Sequence, residues 1–168
     1  MKQEYLLKEE DIEQLIHPDA LVPFPITLPE DQRSVAVSRN QLSARFGGGT
    51  QVTFPRPRAE LVAEHGKEEF MCLRMDWNPQ APPRPGCGGI FFGITLWPDQ
   101  GWDAYGDHSG ALTVLVRQDA NKWLYMGEYE MFCGTHVSAA QWCALHKTVR
   151  GMYMGFEHGA RMWAHANI

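Results

Sequence analysis

The stretch from Glu69 to Gly93, EFMCLRMDWNPQAPPRPGCGGIFFG, limits the possible folds more than any other part of the chain. It reads as a strand, a proline-stiffened loop and a second strand. Phe70, Cys72, Met75 and Trp77, followed by Ile90, Phe91 and Phe92, supply apolar bulk in runs too short for buried helices. Between them Pro79, Pro82, Pro83 and Pro85 fix φ and remove four backbone donors, which keeps the loop extended and out of any sheet. Gly86, Gly88 and Gly89 let the chain turn back. A second pair of strands is expected where Ala111–Arg117 and Lys122–Phe132 alternate in branched and aromatic residues around the turn-forming Gln118-Asp119-Ala120-Asn121.

Helices punctuate the rest. Ser38-Arg39-Asn40-Gln41 has the spacing of a capping box and predicts a short helix to about Phe46, stopped by Gly47-Gly48-Gly49. These glycines follow a helix rather than lead into one and lack a Lys-Ser/Thr, so they read as a helix stop and not as a phosphate loop. Thr50–Phe54 is expected as a short strand, and Ala59–His65 as a helical turn ended by Gly66. Ser138-Ala139-Ala140-Gln141 repeats the capping box and opens a helix to about residue 150, with Trp142, Leu145 and Val149 towards the sheet. The expected fold is α+β: a mainly antiparallel sheet of about five strands, curled into a partial barrel, with flanking helices.

A chain of 168 residues that is 44% hydrophobic suits one core. Residues 1–35 read as an acidic, proline-rich arm, extended from His17 to Asp31, and residues 36–168 as a single globular domain. No run reaches the roughly 18 apolar residues a membrane helix needs, and the N-terminus has no apolar signal core. Cys72, Cys87, Cys133 and Cys143 are spread without a paired CxxC. The expectation is an intracellular protein, nuclear or cytoplasmic, with reduced thiols and no membrane partner.

Charge is uneven. From Arg33 to Ala59 there are five arginines and no acid, so a chain of net charge −5 carries −10 elsewhere. A local basic surface attracts phosphate within a Debye length of about 8 Å. Arg39, Arg45, Arg56 and Arg58 are therefore candidate phosphate contacts; solvated arginines separated in space would give the same letters. On the second hairpin strand, strict alternation puts Trp123, Tyr125, Gly127, Tyr129 and Met131 on one face. Gly127 then leaves a gap for a flat group between tyrosines, or the row packs as core.

The residues offer three other chemistries. Cys133-x2-His136-x6-Cys143-x2-His146 offers four zinc-type ligands, although the middle spacing is unlike common fingers and a buried cysteine with surface histidines accounts for it equally. Asp103, Asp107 and His108 lie in the aromatic loop 96–110, which reads as a surface loop and not a metal site. Asp76 beside Asn78, with Glu128 and Glu130, are candidate acids or bases without a nucleophile motif beside them. No cofactor is expected.

One series of features resembles a known family. Arg39–Leu42 with Ser43, Gly47-Gly48 with Gln51, Phe54-Pro55-Arg56-Pro57 and Phe70-Met71-Cys72-Leu73 come first. Asn78-Pro79, Ala81-Pro82, Pro85-Gly86, Trp123-Leu124-Tyr125, Gly127-Glu128-Tyr129 and Trp142 follow. In this order they resemble a domain of unknown function that recurs in proteins of mushroom-forming fungi, over roughly residues 36 to 155. Cys87 stands where that pattern suggests a second proline, and Cys133, His136 and Cys143 are not part of it. The resemblance implies a fungal, intracellular source and carries over no activity. Tyr125–Tyr129 also looks like the aromatic-glycine strand of PUA-like barrels, some of which read modified bases. The expected function is a non-enzymatic recognition module for DNA or RNA, with Trp77, Asn78, Tyr125 and Tyr129 beside the arginines. The alternatives are an enzyme using Asp76, Glu128 or His136, and a protein-interaction domain built on the proline and aromatic loops.

Overall fold

The computed structural model describes residues 26–91, 111–132, 138–145, 149–150 and 161–165. Most of the expected arm, the aromatic loop 96–110, Cys133, His136 and His146 lie outside the described residues. Among the described residues the delimited helices are α1 (Glu30–Arg33), α2 (Arg39–Phe46), α3 (Ala59–His65) and α4 (Ala139–Ala144). The strands are β1 (Ala36–Val37), β2 (Phe70–Arg74), β3 (Gly89–Phe91), β4 (Leu112–Asp119), β5 (Lys122–Phe132) and β6 (Arg161–His165). They form one curled sheet in the order β2-β4-β5-β6-β3, with β1 beside the start of β5. The β2–β4 pair is parallel and the other four pairings are antiparallel, so the fold is α+β as expected.

The organising strands β2 and β3 do not pair with each other. They occupy opposite ends of the strand order, and the proline loop carries the chain from one to the other. On its way it docks on β5: Gly86 N–H donates to Met126 O at 3.1 Å, and Tyr129 Oη donates to Cys87 O at 2.9 Å. Ile90 N–H then donates to Gln80 O at 2.8 Å, which ties the loop to β3.

Apolar side chains fill both faces of the sheet, which is why FMCL and LTVLV are nearly continuous apolar runs. On the face under the proline loop, Met71, Leu73, Leu112, Val114, Val116, Met126 and Tyr129 pack with Ala81, and Phe54 and Phe91 lie at the margin. On the other, Phe70, Cys72, Leu115 and Trp123 pack with Leu42 of α2. Burying each large side chain contributes roughly 1.5–3 kcal/mol before entropy is counted.

Helix α2 starts and stops as the sequence predicts. Ser38 Oγ accepts from Gln41 N–H at 3.1 Å, and Gln41 Oε1 accepts from Ser38 N–H at 2.8 Å. The same box opens α4, but that helix ends at Ala144 because Leu145 is extended (φ −66°, ψ 148°), so an unbroken helix to residue 150 does not form. Leu145 and Val149 are nonetheless buried. Two other expectations are corrected. Thr50–Phe54 is not a ladder strand, although Thr53 O accepts from Cys72 N–H at 2.8 Å and so covers part of the free edge of β2. Residues 30–33 of the arm are helical, and Arg33 Nε donates back to Leu28 O at 2.8 Å.

The largest correction concerns β5. Val114 faces Gly127 while Leu115 faces Tyr125, so Met126 is an extra residue, a β-bulge. Gly127 takes φ 137°, a region that side chains rarely enter. The bulge reverses the alternation: Trp123 packs on the α2 face, whereas Tyr129 packs with Met126 on the face under the proline loop. The aromatic row does not exist as one surface.

Candidate functional site

The arginines divide into one that holds the fold and three that face solvent. Arg39 is only 7% exposed, donates through Nη2 to Gly49 O at 2.7 Å and Val52 O at 2.9 Å, and lies over the Trp123 ring at 5.2 Å. Burial lowers its pKa while the neighbouring Cys72 opposes that shift. Its charge is committed to anchoring the 49–52 segment, so it does not serve as the expected surface phosphate contact.

Arg45, Arg56 and Arg58 are exposed and come from two segments that cross. Arg58 N–H donates to Phe46 O at 3.1 Å at the end of α2, and Ser43 Oγ donates to Gly48 O at 2.7 Å. Gly47 and Gly48 have φ of 84° and 79°. A Cβ on Gly47 would lie 2.8 Å from Arg58 Cγ, and one on Gly48 would lie 2.8 Å from Arg56 O and 3.0 Å from Pro55 Cβ. The glycines thus do more than stop a helix: they are a platform on which Pro55-Arg56-Pro57-Arg58 lies flat. Arg45 shares its charge with Glu64 at 4.0 Å, both side chains well exposed, whereas among the described residues Arg56 and Arg58 form no ion pair.

Each aromatic candidate is engaged by residues other than these arginines. Trp77 has the Arg74 guanidinium over its ring at 3.9 Å. Tyr125 Oη donates to Glu128 Oε1 at 2.8 Å, and burial, then the Glu128 charge, raises its pKa. Tyr129 is fully buried as the anchor of the proline loop, and burial raises its pKa too.

The candidate acids are likewise held. Glu128 accepts from Thr113 Oγ1 at 2.8 Å and pairs with Lys67 at 2.7 Å besides its bond from Tyr125. Both oxygens of Asp76 meet Arg74, with Nε–Oδ1 at 3.1 Å, and this hydrogen bonding holds its pKa below the usual carboxylate range. Glu130 is exposed. Of the four zinc-type residues only Cys143 is described; it is exposed, and no metal-binding cluster occurs among the described residues.

Among the described residues, half of the buried side-chain polar atoms without a partner lie in the proline loop. Asn78 and Gln80 are 4% and 9% exposed, and Asn78 Oδ1, Gln80 Oε1 and Gln80 Nε2 are buried without a hydrogen-bond partner. Asn78 does donate to Arg74 O, through its backbone N–H at 2.8 Å and through Nδ2 at 3.4 Å.

Residues 36–166 match a domain of unknown function, DUF6697. The chain belongs to this family. No curated protein and no solved structure matches it. Within this DUF6697 domain the residues that sequence reasoning passed over are Lys67, Arg74, Thr113 and Gln80. Three of them act only through partners distant in sequence or around a turn. Gln80 had a visible signal, being an amide set, like Asn78, among the prolines of the most apolar stretch.

Proposed function

We propose that the DUF6697 domain is a non-enzymatic recognition module that binds the phosphate backbone of DNA or RNA through Arg45, Arg56 and Arg58. The observation that carries the reading is the glycine platform, which presents Arg56 and Arg58 on a fixed, extended segment with no ion pair among the described residues. Prolines at 55 and 57 stiffen that segment, so little conformational entropy is lost when the two guanidinium groups meet anions. Arginine suits bidentate phosphate contact. Two observations favour binding over catalysis. Both oxygens of the Glu128 carboxylate are occupied by donors and a lysine, which leaves neither free for a substrate, and Asp76 is held ionised by Arg74. An intracellular setting in a fungus, nuclear or cytoplasmic, belongs to the same proposal and is supported by the sequence resemblance and the dispersed cysteines.

The test is binding of short labelled DNA and RNA, single- and double-stranded, across a salt series. Three phosphate contacts give a log–log slope of about −2 on single strands and about −3 on duplex. The Arg56→Gln, Arg58→Gln double variant should lose about two thirds of that slope while remaining folded. Absence of binding at low salt, or binding unaffected by the double variant, would overturn the proposal; salt-independent capture of a protein instead would favour the interaction-domain alternative.

A further inference from the structure

The three orphaned amide atoms of the proline loop have no role in the phosphate reading. A buried polar atom without a partner costs about 1–3 kcal/mol. Asn78 Oδ1 and both ends of the Gln80 amide concentrate that cost within three residues. An apolar side chain would avoid it, and the next residue, Ala81, does pack into the main core with Phe54 and Phe91 at its margin. Such a concentration points to groups kept for a ligand and not for stability.

The neighbouring chemistry narrows the ligand. Gln80 offers one donor and one acceptor side by side and Asn78 adds an acceptor, the pattern that meets the edge of a planar nitrogen heterocycle. Phe54 and Phe91 meet edge to face with centroids 5.6 Å apart. Phe91 directly follows Ile90, whose N–H bonds Gln80 O, and Phe54 directly precedes Pro55-Arg56. The Gln80 backbone is therefore one hydrogen bond from the strand that carries Phe91, and Phe91 meets the ring that leads into the arginine platform. We propose that Asn78 and Gln80 form a nucleobase-recognition site that receives an unstacked base from a strand whose phosphates lie on Arg56 and Arg58. This rests on the phosphate reading for the strand but not for the base. The three atoms are shielded from solvent, so the base enters as the loop parts from β5, where Gly86 N–Met126 O and Tyr129 Oη–Cys87 O hold it. Removing one of these bonds raises the population of the open loop and so the apparent affinity.

The experiment is a titration of the full 15N-labelled chain with free adenosine, guanosine, cytidine and uridine, then with short single-stranded oligonucleotides, following the side-chain amide resonances of Asn78 and Gln80. Saturable shifts with at least one nucleoside are expected. They should vanish in Gln80→Met, whose backbone spectrum should stay native and whose Tm should hold or rise. They should strengthen in Tyr129→Phe and persist in Arg56→Gln, Arg58→Gln, because a nucleoside has no phosphate. For a preferred oligonucleotide, Gln80→Met should weaken binding about tenfold. Shifts with nucleosides but salt-independent oligonucleotide binding would sink the phosphate reading alone. Amide protons that exchange magnetisation with buried water and ignore every nucleoside and oligonucleotide would overturn this site alone, as would binding unchanged in Gln80→Met.

Discussion

The Tyr129 hydroxyl donates to the carbonyl oxygen of Cys87 across 2.9 Å, joining the long strand β5 to a loop 42 residues earlier in the chain. Tyr129 is fully buried and Cys87 half-buried, so the bond is largely shielded from water. Replacing it with phenylalanine leaves the ring in the core and strips Cys87 O of this donor. We expect Tyr129→Phe to lower unfolding free energy by about 1–2 kcal/mol in chemical denaturation. Proteolysis of the native protein should then begin between Asp76 and Gly88. A loss below about 0.3 kcal/mol with unchanged cleavage would mean that the loop is held elsewhere.

Gly127 decides which face Tyr129 occupies. At φ 137° an alanine is strained whatever space surrounds it, so Gly127→Ala should cost about 1–3 kcal/mol. If relief came by removing the bulge, Tyr129 would rotate to the α2 face and the loop would lose its anchor. Near-ultraviolet circular dichroism distinguishes the two outcomes: a strained but native variant keeps the wild-type spectrum, and a re-registered one does not.

These two residues also mark where the sequence stops being legible. Local signals were sufficient for α2, whose cap is a contact between Ser38 and Gln41, and for the hairpin, whose turn uses Asn121 at φ 58°. The bulge was not legible, because a glycine that opens a gap and a glycine that permits positive φ look the same in sequence. The parallel pairing of β2 with β4 was also hidden, since nothing local records which strand will lie beside Phe70–Arg74. The same limit applies to the site. The Arg33–Ala59 cluster was visible as charge, but only packing separates Arg39, spent on Gly49 and Val52, from Arg56 and Arg58, which remain exposed.

That separation predicts opposite phenotypes for arginines that look alike in sequence. Arg39→Met removes the donors to two carbonyls and should cost about 2–4 kcal/mol, charged donors being worth more than neutral ones. Arg56→Gln and Arg58→Gln should each change stability by less than about 0.5 kcal/mol. Thermal unfolding of the three variants side by side is the check. Equal destabilisation would contradict the division between anchoring and exposed arginines.

Cys72 gives a prediction in pH. Its thiol is buried beside Trp123 and Leu42, and desolvation pushes its pKa up to about 12 from an ordinary 9.0, even though nearby Arg39 pulls the other way. In the unfolded chain the thiol ionises near its ordinary value, while in the fold it stays neutral. The folded state therefore holds the proton more tightly. The resulting stability is fully present below about pH 9 and drains away as pH rises towards the folded value, by up to about 1.4 kcal/mol per pH unit. Denaturation of wild type and Cys72→Ala at pH 8 and pH 10 should show the wild type losing about 1 kcal/mol more than the variant over that interval. At pH 8 an alkylating reagent should reach exposed Cys143 first, half-buried Cys87 next and Cys72 only on unfolding. Prompt labelling of Cys72 in the native protein would mean that the core between α2 and the sheet opens far more readily than its packing implies.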